Sequence, residues 1–251
     1  MPVGGGATAI LSALAEEQQG LVAHLQNAQC TRHAGRDYWS GLLHGKPVVL
    51  ALSRMGKVAA ATTAAALIEK FGVSRLVFTG VAGGVGPGVC VGDVVLGSAF
   101  LQHDMDASPL FPRFEIPLYG QTLFPGDPAL TALLVQASQA ALSRMAPMEL
   151  VSGARSVHTG LIASGDRFVS GAAEAARLVS ALQDSGYLPL AVEMEGAAVA
   201  QVCADYGLPF AAVRTISDRA DDTAHVDFAR FVVEVASVYA RDIMGELLKL
   251  L

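Results

Sequence analysis

Short apolar runs separated by longer amphipathic segments constrain this chain more than any other feature of it. The runs Thr8–Leu14, Tyr38–Leu43, Pro47–Leu52, Arg75–Thr79, Val91–Ser98, Ser156–Ala163, Leu190–Glu193 and Phe210–Thr215 are rich in Val, Leu and Ile. Most are bounded by Gly, Pro or Asp, as strands are. The segments Lys57–Phe71, Pro128–Arg144, Gly171–Ser185, Gly196–Tyr206 and Asp227–Leu250 carry apolar residues at helical spacing. Two of them stop at Gly72 and Gly207, where a helix C-terminus favours glycine. Strands alternating with helices predict an α/β layer fold. The stretch Gln102–Pro128 carries prolines at 109, 112, 117, 125 and 128 and reads as an ordered loop with a function or an interface. Similar strands lie on both sides of it, so residues 1–251 are expected to form one domain.

Hydrophobic residues make up 52% of the chain and charged residues 16%. That excess calls for a sheet covered on both faces and a subunit interface. Apolar runs remain too short for the roughly 18 residues of a membrane span. A net charge of −6, without basic stripes or interleaved aromatics, argues against nucleic acid as a partner. Cys30, Cys90 and Cys203 lie far apart without a CxxC pair and read as three reduced, packed thiols. The first residues have no basic n-region and no small-x-small cleavage site, so a cytoplasmic protein is expected.

Several motifs carry chemistry, each with a plain alternative. Gly80–Gly88 follows a strand but lacks GxGxxG spacing, and a strand rather than a helix comes next, so a dinucleotide fingerprint is not met. These glycines either let the backbone hug a small flat ligand or make a tight turn. Ser53–Lys57 forms a strand-to-helix corner, where open α/β sheets bind ligands, or an ordinary loop. Glu193 and Glu195 flank Met194 where a strand gives way to a helix. Carboxylates there either cap the helix or accept hydrogen bonds from vicinal sugar hydroxyls. Asp218 stands at the end of an apolar strand, where desolvation favours a protonated general acid; the alternative is a salt-bridged loop residue. Glu16 and Glu17 open a helix, as first-turn acids or with one acting as a base. His103-Asp104-Met105-Asp106 lacks the third ligand of a metal site, and no GxSxG elbow occurs.

Taken in order, these elements resemble the purine and uridine phosphorylase superfamily, and within it the methylthioadenosine/S-adenosylhomocysteine nucleosidases. The resemblance runs from Ala13–Glu17 to the helix after Phe228. It rests most on Ser53…Gly56-Lys57-Val58-Ala59-Ala60, Thr79–Gly84, Val91–Val95, Ser164-Gly165-Asp166-Arg167-Phe168, Val192–Glu195 and Arg214–Asp218. It implies a single three-layer αβα domain around a mixed, partly barrel-like sheet. The implied activity is hydrolysis of the N-glycosidic bond of an adenine thionucleoside, with no cofactor and no metal. By the same resemblance, Asp218 matches the acid that protonates purine N7, Glu17 the base that activates water, and Glu195 the carboxylate that grips the ribose hydroxyls. Met194 would lie under the sugar beside Glu193. Phe168 would stack on adenine, whose edge the Val169 backbone would read. Val81, Ala82 and Gly83 would line the site, and Ser217 and Arg214 would support Asp218 and the water. Leu14, Met55 and Phe228 match the apolar slot for the alkylthio tail, which residues 108–117 of a second copy would complete in a homodimer.

Hydrolase and phosphorylase differ at two positions. Hexameric phosphorylases carry an Arg two residues before the glycine matching Gly80 and a Ser after it; here those places hold Phe78 and Val81. Neither side chain binds phosphate, which favours water as nucleophile. Two departures from the nucleosidases are Val81, where a Ser or Thr is common, and Arg54, where a Gly is usual. A phosphate-dependent phosphorylase, a non-catalytic nucleoside binder and a hydrolase of futalosine-type nucleosides are the competing readings.

Overall fold

The computed structural model describes residues 6–151, 153–220 and 228–251. Strand β1 (Thr8–Ser12) is buried throughout and gives way within two residues to helix α1 (Ala15–Ala23). Strands β2 (Gln26–His33), β3 (Arg36–Leu43) and β4 (Lys46–Leu52) follow as an antiparallel meander. Helix α2 (Lys57–Glu69) then leads to β5 (Arg75–Gly84), β6 (Val94–Gln102) and the short β7 (Leu123–Pro125). Next come α3 (Pro128–Leu142), β8 (Val157–Ser164), α4 (Ala172–Asp184), β9 (Pro189–Glu193), α5 (Gly196–Tyr206) and β10 (Phe210–Asp218). The chain finishes with α6 (Phe228–Phe231), a π-helical turn over Val232–Ala236 and α7 (Ser237–Leu250).

The strands form one sheet in the order β10-β6-β8-β9-β5-β1-β4-β3-β2, with β7 on β6 and a further pairing of β10 with β5. That extra pairing closes β5, β10, β6, β8 and β9 into a ring, while β1, β4, β3 and β2 extend from β5 as an open arm. The mixed, partly barrel-like sheet implied by the resemblance is therefore present.

Alternate residues along the central strands enter different cores, as strand geometry requires. Phe78 packs with Ala60, Ala64 and Leu67 of α2 and with Val199 and Cys203 of α5. Its neighbour Val77 packs with Leu134 of α3 and with Tyr239, Ile243 and Met244 of α7. Helices on both faces make the three layers, and burial on both faces explains why these strands read as continuous apolar runs. Asp127 accepts the Leu130 N–H at 2.7 Å ahead of Pro128, a start signal placed where the sequence predicts α3. Gly207 ends α5 at φ +62°, a left-handed cap.

Strand β5 determines where a ligand can sit. Its first part pairs with β1 up to Phe78, opposite Leu11, and its last part pairs with β9 only at Gly83 and Gly84. Along the other side β10 stays paired from Leu76 to Gly83. Between Phe78 and Gly83, then, β1 and β9 splay away from β5 and leave a gap on one side of the strand.

Several expectations need correction. Of the glycines after Thr79, Gly80, Gly83 and Gly84 belong to β5, which continues through Gly84, and the turn comes only at Gly86–Gly88. Strand β6 starts at Val94 rather than Val91 and reaches Gln102. Residues 13 and 14 belong to the bend after β1, not to the strand. The sequence gives no sign of β2 because its residues are polar and almost all exposed, so no alternation marks them. Of the three thiols, only Cys203 is packed; Cys30 and Cys90 are exposed. The expected helix start at Asp227 lies outside the described residues.

Candidate active site

A cavity with about 650 Å³ of free space, part of it continuous with solvent, occupies the gap beside β5. It is lined by the β1–α1 bend, the second half of β5, the β9–α5 junction and the end of β10, together with Met55 after β4, Arg167, Phe168 and Val169 after β8, and Phe228 of α6. All three residues implied as catalytic and all twelve implied as substrate-binding line it.

Glu17 reaches the cavity from the first turn of α1 and is 1% exposed. Its Oε2 accepts the N–H groups of Ala13 and Leu14, both at 3.0 Å. This is the reach back from N3 to the N-cap seen in a capping box. Its Oε1 accepts the Val81 N–H at 3.1 Å, in the gap where β5 lacks a strand on that side. Burial raises the Glu17 carboxyl above the usual carboxylate range, against the lowering effect of these N–H groups and of nearby Arg214. Glycine at 80 follows from this arrangement: a Cβ there would stand 3.2 Å from Glu17 Oε1.

The two carboxylates around Met194 have different tasks. Glu193 turns inward to Arg214, whose Nη2 donates to its Oε2 at 2.7 Å, with both side chains 2% exposed. It also accepts the Gly196 N–H and the Ser164 hydroxyl, so Glu193, not Glu195, caps α5. Glu195 instead accepts the Gly56 N–H at 2.8 Å from the β4–α2 corner. Desolvation, and then the neighbouring charge of Glu193, push the Glu195 carboxyl up to about 8.

Asp218 ends β10. Its Oδ2 accepts the Ser217 hydroxyl at 2.8 Å and its Oδ1 the Ala220 N–H at 2.7 Å. Gly83 faces it so closely that a Cβ would lie 3.0 Å from Oδ1. Ser217 is thus a hydrogen-bond partner of Asp218. Arg214 is aimed elsewhere: besides Glu193 it donates to the carbonyls of Phe78 and Val213, and its guanidinium lies 4.1 Å from the Phe78 ring centre.

Apolar residues make the rest of the wall. Phe168, 44% exposed, meets Phe228 edge-on at 5.7 Å between ring centres. Leu14, Met55, Val169 and Met194 line the same cavity, as do Val81, Ala82 and Gly83. Sequence reasoning did not assign Ala13, Gly80, Arg167 or Val192 to the site, and it treated Phe78 only as a missing phosphate ligand; all five line the cavity. Four of them, Ala13, Gly80, Arg167 and Val192, directly adjoin assigned residues, which is the signal that could have found them. Arg167 pairs with Glu174 at 2.7 Å. Arg54, at φ +68°, donates to the Gly35 carbonyl at 2.8 Å and so braces the β2–β3 hairpin.

The phosphorylase superfamily model matches residues 7–249. The 5'-methylthioadenosine/S-adenosylhomocysteine nucleosidase of Chromohalobacter salexigens is 37% identical over 232 residues, covering 91% of each chain. The crystal structure of the Neisseria meningitidis enzyme of that name, in complex with methylthio-immucillin-A, superposes with a TM-score of 0.86 at 32% identity, over 98% of this chain and 99% of that one. The futalosine hydrolase of Helicobacter pylori superposes at 0.84 with 29% identity, over 98% of both chains. With the family model matching nearly its whole length and relatives of this kind sharing over 30% of its residues across 90% of it, the chain belongs to the phosphorylase superfamily and, within it, to the 5'-methylthioadenosine/S-adenosylhomocysteine nucleosidases.

Proposed function

We propose that this chain hydrolyses the N-glycosidic bond of 5'-methylthioadenosine, S-adenosylhomocysteine or both, with 5'-deoxyadenosine a further candidate, releasing adenine. One observation carries the reading: Asp218, Glu17 and Glu195 converge on a single cavity whose remaining wall is largely apolar. Water is the nucleophile because the wall offers phosphate little. Phe78 and Val81 have no cationic side chain, Arg214 is committed to Glu193, and Arg167 is paired with Glu174. A phosphate oxyanion would want an unpaired, forked donor.

Asp218 gives its proton to purine N7 as the C1'–N9 bond breaks and the bonding electrons pass to the base. Glu17 takes a proton from the water whose oxygen bonds C1'. The proton lost by Asp218 and the one gained by Glu17 are then exchanged with solvent. A base is most effective with a pKa near the working pH, which the upward shift of Glu17 favours. Glu195 holds the ribose hydroxyls, and in its ionised form, which the Gly56 N–H favours, it stabilises an oxocarbenium-like transition state. Met194 lies under the sugar, Phe168 stacks on adenine, the Val169 main chain reads its edge, and Leu14, Met55 and Phe228 take the alkylthio tail. Residues 108–117 of a second copy close that slot in a homodimer; Leu110 in this segment is 84% exposed. The single-domain reading of residues 1–251 and a cytoplasmic setting go with this proposal.

The test is a phosphate-free panel of methylthioadenosine, S-adenosylhomocysteine, 5'-deoxyadenosine and futalosine, read out as free base. Adenine release without phosphate is the expected result. A strict requirement for phosphate would replace hydrolysis by phosphorolysis, and binding without cleavage over a day would make the chain a binder. Asp218→Asn should lower turnover by about 10²- to 10⁴-fold while leaving nucleoside binding largely intact.

A further inference from the structure

The segment Ser164-Gly165-Asp166-Arg167-Phe168 stands out in the sequence, yet the chemistry above uses only its phenylalanine and, at the rim, its arginine. The first three residues have structural partners of their own. Ser164 donates to Glu193 and accepts the Ala197 N–H at 2.8 Å. Gly165 lies under the His103 ring, which a Cβ would strike at 2.3 Å. Asp166 reaches across to α2, where its Oδ1 accepts the Lys57 N–H at 2.7 Å.

Lys57 follows Gly56, the residue whose N–H binds Glu195. Two successive backbone N–H groups at the start of α2 are thus taken by two carboxylates from different loops: Gly56 by Glu195 and Lys57 by Asp166. The Lys57 side chain fastens the same turn from outside, donating to Asp104 at 2.5 Å and to Gln102 at 3.0 Å. Asp104 closes the circuit by accepting the Asp166 N–H at 2.9 Å. Gly56 fits this position because its φ is +96° and because a Cβ would lie 3.2 Å from Asp166 Oδ1.

We infer that Asp166 is a positioning residue: by holding the Lys57 N–H it aims the Gly56 N–H at Glu195, and so ties the loop that covers the base to the carboxylate that grips the ribose. The roles of Glu195 and Phe168 rest on the function proposed above, whereas the latch itself is a matter of geometry. The charged groups acting on Glu195 are Glu193, Arg214 and Glu17, and the Gly56 N–H favours its ionised form. Loss of that N–H should make Glu195 hold its proton to higher pH.

The test follows Glu195 directly in protein labelled with ¹³C at glutamate side-chain carboxyls, its signal assigned with Glu195→Gln. In Asp166→Ala the Glu195 midpoint should rise by about one pH unit, and Asp166→Asn, which keeps an acceptor at Oδ1, should restore it. Kinetically, Asp166→Ala should raise KM for methylthioadenosine about tenfold with a smaller fall in kcat, as expected for losing a bond to a charged group. Should Asp166→Ala fail to fold, Asp104→Asn, on the exposed side of the circuit, should move the midpoint in the same direction by less. An unchanged midpoint in a folded Asp166→Ala protein, or in Asp104→Asn where that variant stands in for it, would overturn the inference. If the wild-type protein released no adenine, the proposed function would fail while the titration still judged the latch.

Discussion

At the scale of single residues, three neighbouring glutamates show how little a residue type says before its partners are known. Glu17, Glu193 and Glu195 are all buried. Glu193 is neutralised by Arg214 and spends its oxygens on α5; the other two face the cavity with raised proton affinity. Glu193→Gln should cost about 3–5 kcal/mol of stability, because it strands a buried guanidinium. Pairing it with Arg214→Met should recover much of that loss, read from urea midpoints. The sequence shows that carboxylates cluster at 193 and 195, but not which of them caps the helix. That depends on Ser164 and Arg214, which are distant in the chain and adjacent only in the fold.

Among the elements, β5 was the hardest to read. Its apolar half, Arg75–Thr79, is evident from composition, whereas Gly80–Gly84 looks like a turn because glycine weakens strands in isolation. The fold overrides that preference by pairing the glycines with β10 and β9 and by needing close approach at Glu17 and Asp218. Gly83→Ala should test this. Its Cβ would press at 3.0 Å on both Asp218 Oδ1 and Ala220 Cβ, so adenine release should fall by about tenfold or more while stability drops only about 1–3 kcal/mol. The buried strands β1, β4 and β10 and helices α2 to α5 were legible from apolar runs and caps. The polar strand β2 was not, because an exposed edge imposes no pattern on its residues.

For the molecule as a whole, the raised carboxyls give stability a definite pH dependence. Glu195, up at about 8, and Glu17, also raised, bind protons more tightly folded than unfolded. Their contribution is complete below the unfolded carboxylate value of about 4.3 and is lost as pH rises toward about 8. His103, lowered by burial, has the opposite slope, but that slope is spent by about pH 6.5. Between roughly pH 6.5 and 8 the decline should therefore be visible in urea midpoints, and Glu195→Gln should flatten it.

The gap beside β5 also has a consequence for how such a protein can diversify. The inner end of the cavity is lined by a glycine-rich stretch of main chain, from Gly80 to Gly83, with the Val81 N–H turned to Glu17. Main-chain groups survive most point substitutions. Around the cavity, Met55, Arg167 and Phe168 present exposed side chains that lie outside the strands and can be exchanged one at a time without disturbing a strand pairing. A lineage built on this plan can revise the substituent it accepts while its grip on the shared part of the ligand stays fixed.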